Sequence, residues 1–181
     1  YPAACGGLET DAITGCLVAE ELGYAAADLT VMLGASTFPF NFSMLSPDPE
    51  LQALTRQYCE DSEGKLIGCW AITEPDHGSD WILFDGPDSS NPKCAGSVRA
   101  VKKGDRYVIN GQKSAWISNG TIATHAALFL CLDPSAGMAG GGLAVVPLDL
   151  PGVTRGKPLN KLGQRALNQG EIFFDNVEIP E

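Results

Sequence analysis

Two short segments of this 181-residue chain hold the residue types and spacings that chemistry requires. The first is Trp70-Ala-Ile-Thr-Glu-Pro-Asp-His-Gly-Ser-Asp80. An apolar run enters a proline-containing turn, after which Gly78 and Ser79 offer unobstructed main-chain N–H groups and a hydroxyl, the equipment of an anion nest. Thr73 adds a hydroxyl where the run ends. The plain alternative is a polar turn stiffened by Pro75, with Asp80 capping the segment after it. The second segment is Asn110-Gly-Gln-Lys-Ser-Ala-Trp-Ile-Ser-Asn-Gly120. Read as a hairpin, it puts Trp116 and Ser118 on one face of a strand, because strand side chains alternate. A ring with a hydroxyl two residues on can wall a planar heterocycle and donate to its nitrogen. Here the plain alternative is a core tryptophan beside a surface serine.

Composition narrows the remaining classes. With 44% hydrophobic and 19% charged residues the chain has material for a real core, in one or two compact units. No stretch approaches the roughly 20 continuous apolar residues of a membrane span. The formal charge of -10 opposes a nucleic-acid role, but it is uneven. Residues 1–90 hold Arg56 and Lys65 against fifteen acids, whereas 91–181 hold ten basic residues against seven acids. The second half therefore suits a bound anion such as a dinucleotide pyrophosphate, although solvated hairpin lysines account for it equally well. Only His77 and His125 are present, with no HExxH and no Cys-x-x-Cys, so no metal site is expected. The six cysteines sit mainly in apolar surroundings and read as reduced, mostly buried thiols in a reducing compartment. The opening Tyr1-Pro2 stretch lacks an initiating Met, so the natural start is expected upstream.

The elements that must position these groups change character near residue 65. Before it, Ile13, Leu17, Val18 and Leu22 recur at helical spacing in Thr10–Tyr24, with Thr10 or Asp11 as cap. A second helix is predicted from Asp28 through Leu33 and a third over Pro49–Cys59. After Gly64 come short β-like runs at 66–72, 97–103, 106–110, 113–118, 125–132, 142–147 and 171–179. Gly104-Asp105, Asn110-Gly111 and Asn119-Gly120 supply tight turns between them. The pattern predicts an α+β chain, helices first, then an antiparallel sandwich or barrel of two packed sheets. No GxGxxG follows a strand, which disfavours a Rossmann fold.

Taken together, the motifs resemble the acyl-CoA dehydrogenase family. TEPDHGSD resembles the family's TEPxxGSD, and NGQKSAWISNG its NGxKxWITN. The stretch from Gly152 to Glu181 is similar to the end of its middle domain, and GGLETDAITGCLVAEELGYAAADL to its GGxG and "EELA" helix. The resemblance covers essentially the whole chain in family order. It implies residues 1–65 as the end of a helical N-terminal domain and 66–181 as the middle β-domain, with the C-terminal helical domain and its catalytic glutamate absent. It implies FAD as cofactor. Thr73 would bind the pyrimidine side of the flavin, with Trp70 and Ile72 adding backbone or apolar contacts. Ser79, helped by Gly78, would bind the pyrophosphate. Trp116 would pack on the isoalloxazine, and Ser118, in place of the usual Thr, would hydrogen-bond near N5.

The implied activity is α,β-dehydrogenation of an acyl-CoA thioester, as in fatty-acid β-oxidation. An electron-transfer flavoprotein or another acceptor would be the redox partner, the full-length protein would be a homo-oligomer, and the setting a bacterial cytoplasm or mitochondrial matrix. No acid is assigned as the base, since Glu74 is turned into its loop, and the chain alone is expected to be inactive. Flavin monooxygenases and nitroalkane oxidases resemble the same family and stay open, as does a non-catalytic module. Two departures stand out. One extra residue near Ser114-Ala115 predicts a bulge, and Leu167 and Gln169 replace the family's Ser and Thr.

Overall fold

The computed structural model describes residues 1–82, 86 and 88–181, the side chains of Ser79 and Ile82 excepted. Two helices precede seven strands. Helix α1 (Ala12–Leu45) starts at Asp11, whose carboxylate accepts the Thr14 N–H at 3.0 Å and the Thr14 hydroxyl at 2.7 Å. These bonds hold the Asp11 carboxyl below its ordinary value. The two helices predicted at 10–24 and 28–33 are thus one run, broken only by non-helical angles at Ala26. It continues through Pro39, twelve residues past the expected end. Helix α2 (Pro49–Glu60) begins with proline in its first turn and folds back on α1, where the buried Thr55 hydroxyl donates to the Phe40 carbonyl at 3.0 Å.

The apolar stripe read in the first turns of α1 is present but uncovered by this chain. Ile13 is 73% exposed, and Leu17 and Val18 are exposed with it. Only from Ala35 onward does the helix bury side chains, among them Ser36, Pro39, Phe40 and Ser43.

Strands β1 (Gly68–Ala71), β2 (Arg99–Lys103), β3 (Arg106–Ser118), β4 (His125–Cys131), β5 (Gly141–Pro147), β6 (Val153–Arg155) and β7 (Gln169–Pro180) come after the helices. They form one curled sheet in the order β1-β4-β2-β3-β7-β6, with β5 also paired to β4. The α+β class is as expected. The sheet is nevertheless single and mixed rather than two antiparallel layers, because β1 runs parallel to β4 and β2 meets β4 in parallel register at Arg99 and Cys131. These parallel pairs join strands far apart in sequence, which turn signals between neighbouring runs do not report.

Alternation sets the core. Cys69 and Ala71, Ala126, Leu128 and Leu130, and Ile172 and Phe174 each point to the same buried side, together with Val98, Ile109, Ile117, Val146 and Val177. Asn110-Gly111, read as a hairpin turn, lies inside β3 instead. Gly111 has φ 137 and marks a register shift against β7, because its backbone passes so close to Val98 that a Cβ there would come within 2.8 Å of Cα. Gly104, φ 68, does turn β2 into β3. All six cysteines are free, but only Cys69 and Cys131 are buried, so the expectation of mostly buried thiols holds for two. Burial pushes the Cys69 thiol up to about 12.

Helix and sheet meet at Gly68, whose N–H donates to the Ser36 hydroxyl at 3.0 Å. A Cβ on Gly68 would fall 2.2 Å from the Ser36 carbonyl oxygen and 2.6 Å from the Pro39 ring. Main-chain oxygen cannot swing aside as a flexible side chain can. Gly68→Ala is therefore expected to lower stability by about 1–3 kcal/mol, seen as an earlier urea midpoint. An unchanged midpoint would show that α1 does not rest on β1 here.

Candidate functional site

The two motif segments lie side by side. At one end the Asn119 amide donates to the Gly68 carbonyl at 3.0 Å, and at the other the Ser114 N–H donates to the Thr73 carbonyl at 2.9 Å. Segment 68–73 thus runs antiparallel along the end of β3. Asn119 adopts φ 65, which asparagine tolerates, and its buried amide also donates to the Met32 carbonyl of α1 at 2.9 Å. The Asn119-Gly120 turn expected from the sequence is present, closed by the Gly120 N–H on the Ile117 carbonyl.

The bulge expected at Ser114-Ala115 is also there. Between Lys113 and Ile117 β3 advances four residues while β7 advances two, and Ala115 takes φ 50. Past it, Ile117 enters the core and its neighbours Trp116 and Ser118 turn outward. Trp116 is 61% exposed, so the core-tryptophan alternative does not hold. Ser118 is half-buried beside it and accepts from the Gln169 amide at 3.1 Å. Thr73 stands at the same margin, half-buried, with its hydroxyl unengaged among the described residues.

The remaining candidates are placed differently. The Trp70 ring turns away and stacks on Phe38 of α1 at 4.3 Å, with Phe129 at 6.2 Å. The Ile72 carbonyl accepts from Lys113 Nζ at 3.0 Å. The Gly78 N–H is not free but donates to Asp80 Oδ1 at 2.6 Å, while Asp80 Oδ2 pairs with His77 Nδ1 at 2.6 Å. Burial would raise the Asp80 carboxyl, yet these partners hold it below its ordinary value. Ser79 opens the short turn Ser79–Ile82, and its side chain lies outside the described residues.

What holds the Thr73 loop against β3 is a pair that motif reading passed over. Lys113 and Glu74 side chains are both fully buried, with Nζ 2.7 Å from Oε1. Glu74 Oε2 accepts the Ser97 N–H at 2.5 Å and its hydroxyl at 2.6 Å, and Oε1 accepts the Val98 N–H at 3.2 Å. Lys113 Nζ also sits 5.2 Å from the Trp81 ring centroid. Burial pushes the ammonium down to about 8, against the pull of Glu74. The Glu74 carboxyl stays below its ordinary value, because Lys113 and Ser97 outweigh burial. Both groups are therefore charged at neutral pH. A carboxylate holding four hydrogen bonds in this way is a brace rather than a base. Nothing in the spacing of β3, where Lys113 lies between Gln112 and Ser114, marked the lysine as buried.

Two cavities, of about 740 and 600 Å³, lie elsewhere. The first is lined by Tyr1, Met32, Tyr58 and Asn119, the second by Phe42, Tyr107, Leu143 and Ile179. Neither is lined by Thr73, Trp116 or Ser118. A platform of one exposed indole and two hydroxyls on a rigid sheet suits a flat, polar-edged ring.

Residues 69–177 match the acyl-CoA dehydrogenase middle domain, and the chain belongs to the acyl-CoA dehydrogenase family. It is 36% identical over 180 residues to cyclohex-1-ene-1-carbonyl-CoA dehydrogenase of Geobacter metallireducens, covering 99% of this chain and 43% of that protein. Its fold superposes on a glutaryl-coenzyme A dehydrogenase–glutaryl-CoA complex with a TM-score of 0.83 at 28% identity, over 100% of this chain and 43% of the other. A Mycobacterium smegmatis glutaryl-CoA dehydrogenase in complex with FADH2 gives 0.76 at 28% identity, over 97% and 41%. The chain thus spans less than half the length of these relatives. Among the described residues no group of His, Cys, Asp and Glu could hold a metal, and no helix is long and apolar enough to cross a membrane.

Proposed function

We propose that this chain is the FAD-cradling portion of an acyl-CoA dehydrogenase, with 66–181 as the flavin-binding middle domain and 1–65 as the end of a helical domain. The observation that carries the reading is the outward Trp116–Ser118 pair on a bulged strand, with Thr73 at the same margin. The residues present fit the group. Trp116 offers an uncovered ring face, Ser118 and Thr73 offer hydroxyls to a heterocycle edge, and the turn at Ser79 comes directly after the Thr73 loop.

In this reading Trp116 packs on the isoalloxazine, Thr73 binds its pyrimidine side, Ser118 orients toward N5, and Ser79 takes the pyrophosphate. Trp70 and Ile72 contribute backbone nearby. When bound, FAD supplies the acceptor for a hydride from the acyl β-carbon. The substrate is an acyl-CoA, electrons pass to an electron-transfer flavoprotein or similar acceptor, and the full-length enzyme is a homo-oligomer of a reducing compartment, bacterial cytoplasm or mitochondrial matrix. The brace leaves Glu74 no freedom to take an α-proton, so the base comes from elsewhere in the full-length protein.

Chain 1–181 alone is then expected to bind FAD weakly or not at all and to show no acyl-CoA dehydrogenation, since fixing base, α-carbon and flavin together supplies effective molarities of up to about 10⁵–10⁸ M. Titration with FAD, then assay with acyl-CoAs and an artificial acceptor, tests this. Stoichiometric yellow protein with turnover would overturn the expectation of an inactive fragment. Hydroxylated or nitrite product from the full-length protein, in place of enoyl-CoA, would overturn the dehydrogenase assignment.

A further inference from the structure

Gln169 stands opposite Ser118 in the β3–β7 ladder, at a position where the sequence departs from the family pattern. Its two amide ends are fixed by their partners. Lys161 Nζ lies 2.8 Å from one end and also donates to the Leu167 carbonyl at 2.9 Å. An ammonium has three donors and no acceptor, so the amide atom it meets must be the oxygen, Oε1. The other end reaches the Trp116 carbonyl at 3.3 Å and Ser118 Oγ at 3.1 Å. A carbonyl only accepts, so that end must be the NH₂ group. The two constraints are independent, and they choose the same amide orientation.

The consequence falls on Ser118. With Nε2 donating into it, Oγ is an acceptor on the β7 side, and its own proton must point elsewhere. Among the described residues the Ser118 hydroxyl has no other hydrogen-bond partner. We propose that Lys161 and Gln169 are positioning residues that keep the Ser118 proton off the β7 side and free to donate toward the open face beside Trp116, where a bound flavin meets it. This rests on the FAD reading above.

The geometry makes the lock stiff. Leu167 is fully buried, and its carbonyl anchors the ammonium. The Leu159 N–H donates to the Gln169 carbonyl at 2.9 Å, and the Ala166 N–H to Asp28 of α1 at 2.9 Å, so the 156–168 loop is tied to both helix and strand. A donor held ready stabilises negative charge that develops on its partner without reorganising. The charged lysine strengthens each hydrogen bond in the chain Lys161, Gln169, Ser118.

The test uses the full-length protein loaded with FAD that is ¹⁵N-labelled at N5. Gln169→Glu places an acceptor on both sides, so Ser118 is expected to turn its proton toward the introduced carboxylate and present a lone pair to the flavin. The N5 resonance should move, and the midpoint potential should become more negative by at least about 30 mV, a tenfold change for two electrons. Lys161→Met, which leaves the amide free to flip, should move both in the same direction by less. Gln169→Met tests loss of the contact without reversal and should fall between wild type and Gln169→Glu. Bound FAD with an unmoved N5 resonance and potential in Gln169→Glu and Lys161→Met would overturn the proposal while leaving the FAD reading intact. A full-length protein that binds no FAD would overturn both.

Discussion

Lys113→Met is expected to destabilise the protein by about 3–5 kcal/mol, because it leaves the Glu74 carboxylate buried and uncompensated. The two side chains are wholly removed from water, so the loss is not one of Coulomb attraction alone. The surviving charge retains only the Ser97 and Val98 donors. Adding Glu74→Gln removes that charge while keeping an oxygen for the two Ser97 donors. The double variant should therefore be clearly more stable than Lys113→Met alone. Urea unfolding of the single and double variants checks this. A single variant within about 1 kcal/mol of wild type, or a double variant no better than the single, would mean that the pair does not hold the loop.

The same brace sets an acid limit. The Glu74 carboxyl is depressed below its ordinary 4.5, so its contribution is complete above that value and is lost as pH falls through the lower folded value. Glu74→Gln should flatten that part of the stability profile below pH 4.5.

Trp116→Ala is expected to weaken FAD binding by the full-length protein about 10- to 100-fold, or about 1.4–2.8 kcal/mol. Folding should change little, because the ring is 61% exposed and contributes little to the core. Isothermal titration and the flavin absorption spectrum read the effect. Unchanged affinity and spectrum would make Trp116 a surface residue with no part in the site.

Much of this arrangement was legible in the sequence, and the reasons differ by element. Strands showed themselves by period-2 runs, as in Ala126, Leu128 and Leu130, since burial on one face is a local demand on alternate residues. The Ser114-Ala115 bulge was legible because an extra residue between two fixed positions has nowhere else to go. Strand β6 was missed because three residues are too few to carry a pattern. Asn110-Gly111 misled, since a glycine with positive φ serves a bulge as well as a turn.

The sequence by itself determined the order of helix and strand and the placing of Trp116 and Ser118 on one face of a strand, both of which rest on local spacing. Tertiary structure decided what those residues touch. It placed β1 parallel to β4, buried Lys113 on Glu74 across 39 residues of chain, turned Trp70 onto Phe38, and set Gln169 against Ser118 across 51 residues. It also left Ile13, Leu17 and Val18 exposed, although their spacing is that of a packed face. The physical reason is common to these cases. Periodicity records which side of an element is apolar, whereas hydrogen-bond partners and the cover over that side depend on distant segments meeting in space.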